Sequence, residues 1–347
     1  MRIERENYTV VLEQPQLYVD NESRDRSGHM SHALAEFEKG CFIDFNSNCS
    51  SQRWNGHSPY GWIEYRISRD QGKTYSDVQT LPYSVKSFLD GIHTISVEKA
   101  VACEDGRIVA FCLKNDATNK YCCEPWHTPE VIISRDQGQT WSDPVEMSPY
   151  HGRIYDAVYH KGRIYVLHFC NPTFTGKEPD NVYRIHVSDD YGETFRELCI
   201  VPFDTFGRAY GSMQFGTDGR LHVYIYNQNA EMDMDHAVSD DLGETWTVLP
   251  PCRVEKGIRN PQVGLIDGVF VCHGRTPDKH FVLYTSEDGT TWDEGAYMVD
   301  ALGPGAFYSN NLNLTDEKGN FLLIQYSQPY EFIRVNVWHL NLRIERK

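Results

Sequence analysis

The chain has 347 residues, 40% of them hydrophobic and 24% charged, which excludes a disordered or collagen-like protein. Lys and Arg number 33 against 49 Asp and Glu, a formal charge of −16, so a nucleic-acid partner is repelled unless a basic patch overrides the field; the like-charge runs are too short to supply one. No segment nears the roughly 18 consecutive apolar residues of a membrane-spanning helix, so no membrane partner is expected, and the 21 Tyr and 7 Trp suit β-structure and sugar-facing surfaces.

The N-terminal stretch MRIERENYTVVLEQ lacks the apolar core and small-residue cleavage site of a secretory leader, so a cytoplasmic location is expected. The ten cysteines agree: most lie in apolar strand-like runs, as Cys112 does in RIVAFCLKN and Cys170 in RIYVLHFCN, and read as free core thiols. Cys122 and Cys123 are adjacent and read as a loop pair open to oxidation. No CxxC pair, P-loop, dinucleotide fingerprint, HExxH or Gly-x-Ser-x-Gly elbow is present, so no metal or other cofactor is expected.

Onward from there, one unit recurs. The hairpin SHALAEFEKGCFIDFN is followed by SRDQGKTYS at 68–76; VEKAVACEDGRIVAFCL by SRDQGQTWS at 134–142; IYDAVYHKGRIYVLHF by SDDYGETFR at 188–196; YGSMQFGTDGRLHVYIY by SDDLGETWT at 239–247; and PQVGLIDGVFVCHG by the shortened SEDGTTWD at 286–293. A sixth hairpin, YSNNLNLTDEKGNFLLIQYS, has no such sequel. The shared frame is Ser-x-Asp-x-Gly-x-Thr-aromatic. Its Asp accepts backbone N–H groups in a tight turn, its Gly supplies a left-handed backbone angle, and its aromatic (Tyr75, Trp141, Phe195, Trp246, Trp292) plugs the turn into the sheet. The motif is a structural staple, neither a catalytic aspartate nor a calcium loop. Four strands per unit, at about 55 residues each, predict an all-β six-bladed β-propeller. EFIRVNVWHLNLRIE is expected as the third strand of the sixth blade and NYTVVLEQ as its fourth, so that N- and C-terminal strands close the ring within a single domain over 1–347.

The frame is the Asp-box, and the chain resembles the Asp-box (BNR) sialidase superfamily over nearly its whole length. The resemblance implies a tyrosine nucleophile paired with a glutamate, an aspartate acid/base and three arginines on the substrate carboxylate. AFYSNNLNL matches the nucleophile segment, making Tyr308 the nucleophile, and Arg275 in VCHGRTPDK is similar to one of the three arginines. Elsewhere the chain departs: GHMSHALAEF has His29 and Met30 where the first arginine is expected, Arg259-Asn260-Pro261 carries an Arg-x-Pro in the fifth hairpin instead, and no glutamate is matched to Tyr308.

Topology puts the boxes on one face and long polar loops (46–61, 114–130, 171–181, 227–236, 274–280) on the other, where the inner strands also begin. The starts of those strands offer Arg24, Arg26, His29 and His32; Asp90 and His93; Arg153, Tyr155 and Asp156; Arg208 and Tyr210; Arg259; and Tyr308 with Asn310. Arginines there can grip an anionic group with paired hydrogen bonds. Asp156 could act as acid or base. Glu231, Asp233 and Asp235 would point one way if extended, raising the pKa of one of them toward a general acid, or holding a cation. Trp54, Tyr60, Trp126 and Tyr330 form the expected aromatic face. Together these predict a glycoside hydrolase releasing a terminal acidic or unusual sugar from a small or oligosaccharide substrate. The alternatives are a non-catalytic glycan- or peptide-binding propeller, and a lyase in which His29, His32 or His93 takes a proton beside a uronate carboxylate.

Overall fold

The computed structural model describes residues 1–28, 32–51, 60–117, 126–173, 181–299, 307–332 and 334–347. They form six antiparallel sheets, each a blade of a propeller. From the axis outward, the second blade runs His93–Ala102, Ile108–Asp116, Glu130–Ser134, Val145–Glu146, and the third Arg153–His160, Arg163–Cys170, Val182–Ser188, Arg196–Val201. The fourth runs Arg208–Phe215, Leu221–Asn227, Asp233–Ser239, Thr247–Arg253, and the fifth Arg259–Ile266, Val269–Arg275, Phe281–Ser286, Ala296–Val299. In the first blade the inner strand is split into Arg26–Ser27 and Leu34–Glu38, both paired with Cys41–Ser50, followed by Gly61–Ser68 and Gln79–Thr80.

The ring closes as the sequence predicts. In the sixth blade Ser309–Asp316, Gly319–Glu331 and Arg334–Arg346 are followed by Tyr8–Leu12, with Tyr8 opposite Arg346 and Leu12 opposite Leu342. Tyr8, Val10 and Leu12 are buried, so the N-terminal strand is held by apolar contact as well as by the ladder. Two strands were not foreseen: Arg2–Glu4 lies outside Tyr8–Leu12, and Gln16–Val19 pairs with the other half of Arg334–Arg346. Nor was the helix Pro82–Asp90, with Pro at its start and Gly91 at φ 75° after its end. Among the described residues no helix is long and apolar enough to cross a membrane. The eight described cysteines form no disulfide, and six of them are buried; Cys122 and Cys123 lie outside the described residues.

Each box is a closed hydrogen-bond unit. In the first, Gly72 N donates to Ser68 Oγ at 2.8 Å, Ser68 Oγ donates to Asp70 Oδ1 at 3.0 Å, and Thr74 donates its N–H to Oδ1 (2.8 Å) and its hydroxyl to Oδ2 (2.7 Å). The same set recurs around Asp136, Asp190 and Asp241; in the shortened fifth box Thr290 N and Thr291 N share Asp288 Oδ1. The aromatic, however, plugs into the preceding blade rather than its own sheet. Trp141 packs on Phe45 and Tyr65, Phe195 on Phe111, Trp246 donates to Cys199 Sγ, Trp292 packs on Tyr224, and Tyr75 hydrogen-bonds His339 across the closing seam. The box glycine serves this contact. At Gly192, φ is 90° and a Cβ would lie 2.7 Å from Val109 Cγ2 of the preceding blade, so both backbone angle and interblade spacing demand glycine. The boxes thus join blade to blade.

Several histidines are sealed inside this packing. Burial pushes His186 and His222 down to about 4 and His236 and His273 down to about 3. His222 Nδ1 and His236 Nε2 stand 3.1 Å apart, a pairing that two neutral rings can make and two charged rings cannot. The unfolded chain binds protons on these groups below about pH 6.5 and the folded chain does not, so stability is present above that value and falls as pH drops toward 4. Each such histidine contributes up to about 1.4 kcal/mol per pH unit in that window. The expected result is a Tm that declines steadily from pH 7 to pH 4.5; a flat Tm across that range would mean the folded state accepts these protons.

Candidate functional site

The inner strands share a departure from regular pairing at one level. In the second blade Val97 faces Cys112 and Lys99 faces Phe111, leaving Glu98 as an extra residue. In the third, Ile154 faces His168 and Asp156 faces Leu167, leaving Tyr155. Register also jumps between Arg208 and Gly211 in the fourth blade, at Ala209 and Tyr210, and between Arg259 and Gln262 in the fifth, at Asn260 and Pro261. Asn260 takes a φ of 44°. A bulge breaks the alternation of faces, so neighbours in sequence can turn to the same side. Glu98 and Lys99 both line the resulting cup, as do Arg153, Ile154 and Tyr155.

This cup, about 40 Å³, is closed by Tyr210, Asn260, Tyr308 and His32. At its centre Arg153 donates from Nη2 (2.5 Å) and Nε (3.0 Å) to Glu98 Oε2. The guanidinium lies 5.4–5.6 Å from the ring centres of Trp126, Tyr155 and Tyr210, an aromatic box that favours a cation. Burial opposes the charge on Arg153, but Glu98 and the hydroxyls of Tyr210, Tyr155 and Tyr308 more than offset it, and its pKa stands well above the ordinary value. Glu98 Oε1 is buried with no hydrogen-bond partner among the described residues. Above the arginine, Tyr210 and Tyr308 share a hydrogen bond of 2.5 Å between hydroxyl oxygens. Burial, then the Tyr308 hydroxyl, pushes the Tyr210 pKa well up, so Tyr210 keeps its proton, and either hydroxyl can donate in the shared bond. Tyr308 N donates to Ser327 Oγ (3.0 Å), and Asn260 Nδ2 donates to Phe307 O (3.1 Å), which hold this segment in place.

The floor of the cup is polar. Lys99 Nζ lies 3.1 Å from Asp156 Oδ1. Asp156 Oδ2 accepts from Ser212 Oγ (2.8 Å) and Met213 N (2.7 Å), and Oδ1 accepts from Ala157 N (2.9 Å). Asp156 is therefore seated below the cup with both oxygens engaged.

The expected residues separate into groups. Tyr308, Tyr210 and Arg153 meet in the cup, and His32 lines it. The arginines already have carboxylates: Arg208 Nε is 2.7 Å from Asp235, and Arg259 Nε is 2.9 Å from Glu231 with Tyr226 also bonded to that glutamate. Arg275 is buried directly across the strand pair from Arg259. The acidic stretch does not gather: the chain turns at Glu231, Asp233 faces Arg253 on the outer strand at 3.4 Å, and Asp235 takes Arg208. Among the described residues no cluster of His, Cys, Asp or Glu could hold a metal ion. His93 lies apart, beside His127 and in a groove with Tyr83 and Lys86 of the helix. Trp126, expected on the exposed aromatic face, is 1% exposed and backs Arg153 instead, because its bridge to Asn115 and its bond to Pro172 O draw it inward. Tyr330 bonds Arg26 O, and Tyr60 packs on Phe88. Arg24 grips Glu64 with two bonds, away from the cup. Several loops are shorter than expected, since Asn46–Ser50, Lys114–Asp116 and Asp233–His236 lie within strands. His29, Met30 and Trp54 lie outside the described residues. Glu98 was missed: in VEKAVAC it reads as an ordinary alternating strand residue, and only the bulge turns it to the axis.

The BNR/Asp-box repeat family matches residues 132–143, the second box and the strand leading into it. No curated protein sequence matches the chain. Among solved structures, a protein of unknown function from Dyadobacter fermentans is similar at 15% identity and a TM-score of 0.76, over 97% of this chain and 99% of that one. The Hadza microbial sialidase Hz136 is similar at 14% identity and a TM-score of 0.67, over 96% of this chain and 68% of that one. Trypanosoma rangeli sialidase, solved with the inhibitor DANA, is similar at 11% identity and a TM-score of 0.63 over 94% of this chain, which spans 59% of that protein. The chain therefore carries an Asp-box repeat of the BNR family and has a six-bladed propeller fold that matches these sialidase structures.

Proposed function

We propose that the cup is the active site of a glycoside hydrolase acting on a terminal sugar, with Tyr308 as nucleophile. The observation that carries this reading is the Tyr210–Tyr308 hydrogen bond at 2.5 Å above the buried Arg153–Glu98 pair. A tyrosine is an unusual but attested glycosidase nucleophile, and it needs help to react as a phenolate. As the Tyr308 oxygen bonds the anomeric carbon and the glycosidic bond breaks, the phenol proton passes to Glu98, the only carboxylate lining the cup among the described residues; the leaving oxygen takes a proton from water, and a second water then releases the sugar from Tyr308. Tyr210 donates to the Tyr308 phenolate before attack, and Arg153 supplies positive charge in a water-poor setting. The solved sialidases with this fold support a sugar substrate. Because Arg153, the one arginine lining the cup among the described residues, is matched by Glu98, a neutral or only weakly acidic sugar suits the cup better than a strongly anionic one. The same internal pairing favours a second reading, a propeller that binds a glycan without cleaving it. A panel of neutral, uronate and sialic aryl glycosides, run beside calorimetric titration of matching oligosaccharides, separates them. Release of the aryl group that falls at least tenfold in Glu98→Gln supports the hydrolase. Binding with no product supports the second reading.

A further inference from the structure

We infer that Lys99 is a septum: its ammonium closes the axial channel beneath the cup and holds the inner strands at the depth where Tyr308, Tyr210 and Glu98 meet. Two cavities lie on the axis. One is the cup. The other, about 350 Å³, is lined by the lower halves of the inner strands, including Glu36, Gln214, Asn311 and Asn313. Among the described residues Lys99 alone lines both.

The ammonium has three hydrogens and meets three acceptors, each from a different blade: Asp156 Oδ1 of the third at 3.1 Å, Asn310 Oδ1 of the sixth at 2.8 Å, and Gln262 Oε1 of the fifth. Asp156 in turn takes Ser212 Oγ and Met213 N of the fourth blade, and Val263 N of the fifth donates to Ser212 Oγ at 2.9 Å. One buried cation therefore ties five of the six inner strands across the axis. Its acceptors sit a step away in sequence from the cup: Asn310 follows Tyr308 by two residues, Gln262 follows Asn260 by two, and Asp156 follows Arg153 by three. The bulge that turns Glu98 inward leaves Lys99 facing the same axis. Lys99 touches no reacting atom in this scheme and is a positioning residue. Without it, Asp156 is a buried carboxylate with no compensating charge, and the channel opens into the back of the cup.

Chemical rescue tests this. Lys99→Ala leaves a hollow that ethylammonium fits, reached through the channel, while Lys99→Met fills that space without charge. The expected result is a Tm about 5–10 °C lower in both variants, with ethylammonium chloride restoring at least half the loss in Lys99→Ala and none in Lys99→Met or the wild type, sodium chloride being the control. The turnover measurement rests on the hydrolase reading: kcat falls about 10–100-fold with KM little changed, and the amine restores it in Lys99→Ala. Recovery of folded Lys99→Ala only in the presence of the amine also supports the septum. A wild-type Tm in Lys99→Ala, equal effects of the amine on all three proteins, or a loss the amine cannot restore overturns it. A wild type that cleaves no glycoside defeats the hydrolase reading and leaves the Tm test standing.

Discussion

Replacing Tyr308 by Phe is expected to lower kcat about 10³-fold on any glycoside the wild type cleaves, with KM within about threefold. The ring stays and only the oxygen goes, so packing against Tyr210, with ring centres 5.7 Å apart, is kept while the hydrogen bond to its hydroxyl is lost. That bond is worth about 1 kcal/mol to the fold, so the Tm should move by only a few degrees. Tyr210→Phe should cost less, about 10-fold, because Tyr210 donates to the reacting oxygen and does not itself bond the sugar. Single-turnover rates measured beside Tm check both. Undiminished turnover in Tyr308→Phe would remove the nucleophile from the proposal.

The largest loss of stability is expected from Arg153→Met. Arg153 and Glu98 are both nearly inaccessible, their side chains 6% and 10% exposed. Deleting one member strands the other, at a cost of about 3–5 kcal/mol. Glu98→Gln removes the carboxylate charge from the same pair. Combining it with Arg153→Met should return at least half of the single loss, since no uncompensated charge then remains. Denaturant midpoints for the wild type, the two single variants and the double variant measure this coupling. Strict additivity would mean that the pair contributes nothing as a pair, and that the aromatic rings around Arg153 account for its burial.

What could be read early in this protein is what is local. The box around Asp190 needs only Ser188, Asp190, Gly192 and Thr194, whose hydrogen bonds all close within seven residues. The latch strand announces itself in the same way, by the apolar alternation of Tyr8, Val10 and Leu12. From such pieces the number of blades and the closure of the ring follow, because an unpaired sheet edge must find a partner and the two chain ends are the strands left over. The placing of Tyr308 at the start of an inner strand was legible too, and the structure puts it in the lining of the cup.

Partnership across the ring was not. Arg208 and Arg259 look like open anion grips until the turn at Glu231 brings Glu231 and Asp235 to them. Trp126 looks like a surface aromatic until its bridge to Asn115 draws it under Arg153. The amino-acid order by itself determined the repeating unit, its turns and the way the ring shuts, since those depend on hydrogen bonds and apolar periodicity within a few residues. Only the tertiary structure decided which side chains share the axis. The bulges at Glu98, Tyr155 and Tyr210 reverse the expected facing at the cup, and the buried charges settle on whichever opposite charge six converging strands bring near, a choice set by desolvation in the assembled ring.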